Sequence, residues 1–234
     1  MIILDYGESA LLVNFEQRVD AAINERVIHL HQELTETPGV TYTIPAYASL
    51  TVGFDADQIS AEALKELIYA IKLSDKQNQS AGKTYVIPVC YEGVFAPDMA
   101  EVSELTGLDK EKIIELHTSS TYRVFMIGFV AGFAYLGTLP EQLQCPRKQT
   151  PRKVVPRGAV GLAGFQTGIY PTDAPGGRQL IGQSPVKTFD PLADMPVVLQ
   201  PGDQVKFKAI SVAAFEDISD SIRFGTYEWE VQHG

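Results

Sequence analysis

The stretch YRVFMIGFVAGFAYLG, Tyr122 to Gly137, decides the reading of the fold: a run of aromatic and β-branched residues, a break marked by glycines, then a second short apolar run. Runs this short, interrupted by Gly, read as strands joined by turns, because glycine weakens a helix interior and a strand needs only a handful of residues. The pattern recurs downstream in AVGLAGFQTGIYP (159–171), QLIGQSPVKTF (179–189), PVVLQPGDQVKFKAI (196–210) and YEWEVQ (227–232). Upstream, TYVIPVC (84–90) reads as a further strand, followed by two helical segments. The first opens at Pro97–Glu101, with Asp98 as the cap and Glu101 three positions on, and ends at Gly107; the second spans Asp109 to His117. Together these predict a β-barrel or sandwich with an inserted helical pair over residues 83–234.

Residues 1–76 carry a different pattern. Residues 9–15 (SALLVNF), Val40 to Ile44 and 48–54 (ASLTVGF) read as strands; Ile23, Val27, Leu30 and Leu34 fall on one helical face, with His29 and His31 flanking it at the surface. Ser60 caps a second helix whose apolar face is Leu64, Leu67, Ile68 and Ile71. The order βαββα predicts an antiparallel sheet covered by helices, ferredoxin-like, so that the chain is α+β with two domains. The polar run Ser74 to Gly82 contains almost nothing that could build a core and reads as the linker between them.

Composition removes several classes of function. The chain has 234 residues, 29 acids against 19 bases and a net charge of −10, which opposes sequence-independent binding to nucleic acid. The start, MIILDYGESALLVNF, lacks a basic segment and breaks its apolar runs with Asp5, Glu8 and Asn14, unlike a signal peptide, and no eighteen apolar residues run together. A cytoplasmic protein with no membrane partner is the expectation. Cys90 and Cys145 match no zinc spacing, and His29, His31, His117 and His233 form no ligand cluster, so no metal site is expected.

Against this acidic background one segment gathers positive charge. CPRKQTPRKVVPRGAV repeats Pro-Arg at Arg147, Arg152 and Arg157, adds Lys148 and Lys153, and lies in a stretch without Asp or Glu from Glu141 to Asp173. Such segregation reads as a surface for an anion or a partner. In an extended strand the odd spacing puts Arg147 and Arg157 on one face and Arg152 on the other, so all three converge only if the prolines bend the chain.

The Gly128–Leu136 run, the Pro-Arg repeat, the Gln166–Pro171 segment and the turn Pro175–Gly182 together resemble the B subunit of bacterial 5-oxoprolinase. That family is also described as a Kip-type inhibitor of a sporulation histidine kinase, and is related to allophanate hydrolase subunit 1 and urea carboxylase carboxyltransferase modules. The resemblance is strong over residues 84–210 and extends through GESALLVNF and PAYASLTVGFD. It departs at Ala131, where the family usually has Pro, at Arg178, where it has Trp, and at Gln183, where it has a basic residue. The resemblance implies a cyclophilin-like β-barrel for the second domain. It also implies an ATP-dependent opening of 5-oxo-L-proline to L-glutamate, performed together with a homologous C subunit and a separate A subunit, and inactive without them. Inhibition of a histidine kinase and a role in an allophanate hydrolase or urea carboxyltransferase are the alternatives it leaves open.

In that chemistry a lactam carbonyl, a poor electrophile, needs positive groups around its oxygen and around a transferring phosphate, and arginine supplies them as a permanently charged fork. Arg147, Arg152 and Arg157 are the candidate catalytic cations, with the surface salt bridge as each one's structural alternative. His117 is a candidate acid or base by its ordinary pKa, or a helix cap. Gln166, Tyr170 and Tyr135 are candidates for contacts with substrate. Gly176 and Gly177 read as a tight turn offering backbone amides to an anion, or as a plain hairpin. Phe129 and Phe133 read as core.

Overall fold

The computed structural model describes residues 1–73 and 82–232, so residues 74–81 of the expected linker and His233 lie outside the described residues. The chain forms two compact units, Met1–Ser80 and Ala81–Gly234.

The first unit contains β1 (Ile2–Asp5), β2 (Ala10–Asn14), α1 (Ala21–Thr35), β3 (Val40–Pro45), β4 (Ser49–Phe54) and α2 (Ala61–Ala70). Its sheet has the order β1-β2-β4-β3 with every neighbour antiparallel. Because β4 lies between β2 and β3, those two run parallel and β2–α1–β3 is a split βαβ unit, the ferredoxin-like core. Leu11 and Val13 of β2 alternate inward with Leu50 and Val52 of β4, and meet Ile23, Val27, Leu30 and Leu34 of α1 and Leu64 and Ile68 of α2. Asp20 and Ser60 start the helices by accepting hydrogen bonds from the backbone N–H groups of Ala22 and Ile23, and of Ala63. β1 is an addition to the expected order. Ile2 and Leu4 remain 63% and 49% exposed, so their burial gave no alternation to read.

The second unit opens with β5 (Thr84–Cys90), α3 (Met99–Thr106), α4 (Lys110–Ser119), β6 (Thr121–Ile127) and β7 (Ala134–Gly137). It continues with β8 (Arg152–Val155), β9 (Ala159–Ala163), β10 (Gln166–Ile169), β11 (Ala174–Gly176) and β12 (Gln179–Gln183). β13 (Gln204–Ile210), α5 (Val212–Arg223) and β14 (Val231–Gln232) complete it. Seven strands run β12-β9-β10-β7-β6-β13-β5, and β5 pairs back to β12 at Cys90 and Gln183, closing the barrel; β14 adds to β5. Closure leaves no free edge around the ring, which protects short strands from pairing with other chains. β13 and β5 are parallel, Gln204 opposite Thr84 through Ile210 opposite Cys90. The interior is filled by side chains including Ile87, Val124, Leu136, Val160, Ile181 and Phe207.

The chain is therefore α+β, with a helix-covered antiparallel sheet and a closed barrel. α5 is the element the strand pattern conceals. Ser211 caps it by accepting from the N–H of Ala214, and Ile218 and Ile222 pack on the barrel core, a spacing of four that the sequence displays but that sits between two strand-like runs.

Candidate functional site

β8 and β11 leave the barrel as a two-stranded ribbon, with Val155 opposite Ala174 and Arg152 opposite Gly176. The N–H of Lys148 donates to the carbonyl of Gly177 at 2.8 Å and extends the pairing. The ribbon rests on a satellite core of Phe133, Val155, Ala159, Tyr170, Ala174 and Leu180. Where it meets the ends of β7 and β10 lies a cavity of about 270 Å³, lined by Phe129, Phe133, Tyr135, Arg147, Pro151, Tyr170, Pro175, Gly176, Gly177 and Arg178. Two of these are cations and none is an acid.

The cavity is graded in depth. Phe133 and Tyr170 are each 2% exposed and Arg178 is 4% exposed, whereas Phe129 is 58% exposed. Arg147 is likewise exposed. Arg178 holds its guanidinium 5.2 Å from the ring centre of Phe133 and 5.9 Å from that of Tyr135, and its Nη2 donates to Gln166 Oε1 at 3.2 Å. Cation–π contact strengthens as water is removed and fixes the plane of the fork. Burial pushes the Tyr170 phenol up, against the pull of Arg178, Arg147 and Arg152, and it stays a neutral hydroxyl. Such a wall, aromatic and positive, suits a small ring carrying negative charge.

Gly176 and Gly177 do not form the tight turn foreseen for them: Gly176 belongs to β11, and Gly177 joins it to β12. The requirement for glycine is space. A Cβ on Gly176 would stand 2.0 Å from the Tyr170 hydroxyl and 2.8 Å from its Cζ, and Tyr170, being buried, has nowhere to go. Gly176→Ala is expected to destabilise this unit by about 1–3 kcal/mol, with Tyr170→Phe recovering part of the loss; urea titrations of the two single variants and the double variant measure the coupling. Phe129, read as core, instead stands at the mouth. It has φ of 69°, a left-handed conformation rare for a bulky residue, and its ring meets Phe133 edge-on at 5.7 Å.

The three arginines separate. Only Arg147 lines the cavity, and among the described residues it makes no hydrogen bond or ion pair. Arg152 turns to Asp98, its Nη2 donating to Oδ1 at 2.6 Å, while Lys148 Nζ reaches the same oxygen at 3.1 Å and the N–H of Leu180 donates to Oδ2 at 2.7 Å. Asp98 does hold the cap position of α3, but its side chain makes no capping bond, because these donors occupy it. Glu101 pairs with Lys148 and accepts from Gln179 Nε2. Burial pushes the Asp98 carboxyl up, yet the hydrogen bonds from Arg152, Leu180 and Lys148 outweigh this and hold it below the usual carboxylate value. Arg157 is exposed at a loop whose backbone is tied to Asp173 and Gln183.

His117 lies inside the barrel. Its Nδ1 is 2.7 Å from the Tyr91 hydroxyl and its Nε2 is 3.0 Å from Thr167 Oγ1, and the ring stacks on Phe207 at 4.4 Å. Burial lowers its pKa to about 3, so at neutral pH it is an uncharged packing group. Among the described residues no group of three or more His, Cys, Asp or Glu is placed to hold a metal ion, and no helix is long and apolar enough to cross a membrane. The structure thus gathers Arg147, Tyr135, Tyr170, Gly176 and Gly177 at the cavity, with Gln166 behind Arg178. It leaves Arg152, Arg157 and His117 off its wall. Arg178 was visible in the sequence as a departure from the family, but nothing local marked it as a cavity residue.

Residues 1–199 match the family model described as carboxyltransferase domain, subdomain C and D. A protein named as the B subunit of 5-oxoprolinase from Escherichia coli O157:H7 is 40% identical over 202 residues, covering 86% of this chain and 92% of its own. One of the same name from Bacillus subtilis (strain 168) is 36% identical over 219 residues, covering 88% and 91%. Among solved structures, TTHA0988 superposes with a TM-score of 0.78 at 35% identity over 86% of this chain, which spans 40% of the TTHA0988 chain.

Proposed function

We infer, from a chain that belongs to the carboxyltransferase-domain C and D family and within it to the B subunits of 5-oxoprolinase, that this protein is one component of a hydrolase complex opening 5-oxo-L-proline to L-glutamate at the expense of ATP. The observation that carries the reading is the cavity beside the Pro-Arg ribbon. It joins two arginines to an aromatic wall without a carboxylate, and its volume of about 270 Å³ suits a five-membered ring acid. That volume is below the ~300–1,000 Å³ of pockets that enclose drug-sized ligands, and a nucleoside triphosphate does not fit within it. In this reading the nucleotide lies outside the cavity, and the groups of this chain that line the cavity bind and orient the ring. Arg147 is the reacting-site cation. Arg152 supports it indirectly, anchoring β8 through Asp98. We place the protein in the cytoplasm, where its two cysteines, both buried and unbridged, fit a reducing compartment.

The test is reconstitution. The chain mixed with the A and C subunits is expected to release glutamate from 5-oxo-L-proline with formation of ADP, and the chain alone is expected to release none. A complete mixture that forms no glutamate would overturn the reading.

A further inference from the structure

The two cations of the cavity differ in every respect that matters for a ligand. Arg178 is buried, clamped over two aromatic rings and hydrogen-bonded to Gln166. Arg147 is exposed at the mouth, on the segment leading into the ribbon. A fixed, desolvated guanidinium is the stronger partner for a permanent carboxylate, because the fork is already oriented and little water screens it. An exposed, unpaired guanidinium suits an oxygen whose charge develops during reaction, where it can also be reached by groups of another chain.

If the chain serves the lactam-opening complex, the reading on which this step rests, the reacting bond must be reached by a nucleotide that a cavity of about 270 Å³ does not enclose together with the ring. The lactam carbonyl must then face the mouth. We propose that the ring enters carboxylate first: Arg178 at the floor anchors the carboxylate, and Arg147 at the mouth meets the lactam oxygen. The closed floor, formed by Phe133, Tyr170 and Arg178, leaves no path for a chain attached to the carboxyl group. The substrate class is accordingly the free ring acid: a peptide capped by the same ring meets the floor, and the primary amide, equal in size to the acid, lacks the charge that Arg178 pairs.

Two arms test this. The full chain by itself is titrated calorimetrically with 5-oxo-L-proline, with 5-oxoprolinamide and with 2-pyrrolidone; the acid is expected to bind at least about thirtyfold more tightly than either neutral ring. Arg178→Met is expected to weaken the acid at least about thirtyfold, Arg178→Lys to weaken it less, and Arg147→Met to weaken it less than about threefold. In the reconstituted complex, Arg178→Met is expected to raise KM, and Arg147→Met to lower kcat at least about thirtyfold with KM nearly unchanged. Equal binding of the amide and the acid would overturn the proposal, and so would the reverse split, with affinity lost at Arg147 and turnover at Arg178. The ligand comparison uses the unaltered chain, so it decides even where Arg178→Met fails to fold. Failure of the whole complex to turn over, with selective binding of the acid through Arg178 intact, supports the anchor and removes only the reading as a 5-oxoprolinase component. Turnover by the complex without any binding of the acid by the chain removes the anchor alone.

Discussion

Asp98→Ala is expected to destabilise the barrel unit by about 3–5 kcal/mol, the range for removing one partner of a buried charge cluster. Asp98 is 4% exposed and accepts from Arg152, Lys148 and the backbone of Leu180. Its loss leaves an arginine, a lysine and an amide facing a void from which water was excluded. Replacing Arg152 and Lys148 by Met in the same variant should recover much of the loss, since apolar groups of similar size need no partner. Trp229 is the single tryptophan and packs edge-on against Tyr85 at 5.7 Å, so its fluorescence during urea unfolding follows this unit alone. A shift below about 1 kcal/mol would show that the cluster is better solvated than its burial implies.

The second large effect is on pH dependence. Burial lowers the His117 imidazole from 6.5 to about 3, so between those values the unfolded chain binds a proton that the folded chain refuses. Unfolded protons in excess mean that stability rises with pH. It is complete above pH 6.5 and declines by about 1.4 kcal/mol per unit below it, about 3 kcal/mol by about pH 4. Asp98, with its depressed pKa, adds to the loss only below the ordinary carboxylate value of about 3.9. Within the window above that value His31, also lowered by burial, and Asp203, raised by burial, titrate as well, so the His117 share is read as the difference between the unaltered chain and a His117 variant. His117→Gln is expected to be less stable at neutral pH and to show a flatter profile across that window. An unaltered slope in the variant would assign the acid sensitivity to other groups.

Element type was legible wherever one side faced a core. The alternation of Leu11 and Val13, the spacing of Ile23, Val27, Leu30 and Leu34, and the Gly-bounded runs of the barrel all record burial directly in the order of residues. β1 and α5 were not legible because their outer faces remain apolar or their period sits between strand-like runs. The site was legible in part, since the segments that build it are distinctive, but the direction of each arginine was not. Pro-Arg repeats at a spacing of five, and the chain still sends Arg147 to the cavity, Arg152 to Asp98 and Arg157 to solvent. The partners that decide this, Asp98 and Gly176, lie far from the repeat in sequence and near it only in the fold. The Asp98 signature itself misled, because an acid followed three residues later by Glu reads as a cap until distant cations claim both side chains.

The parallel pairing of β5 with β13 sets an order in time. β5 is made early, yet the strand that covers it, Gln204 opposite Thr84, emerges from the ribosome 120 residues later. Contacts of such separation slow folding and leave hydrophobic surface waiting. The first unit, whose strand pairings all fall within its own residues, is able to fold while the barrel is still being synthesised. The second must remain an open sheet until nearly the whole chain exists. A truncated product ending before β13 would carry β5, with its buried Ile87 and Val89, as a bare strand, and so would be a substrate for chaperones and proteases rather than a smaller working protein.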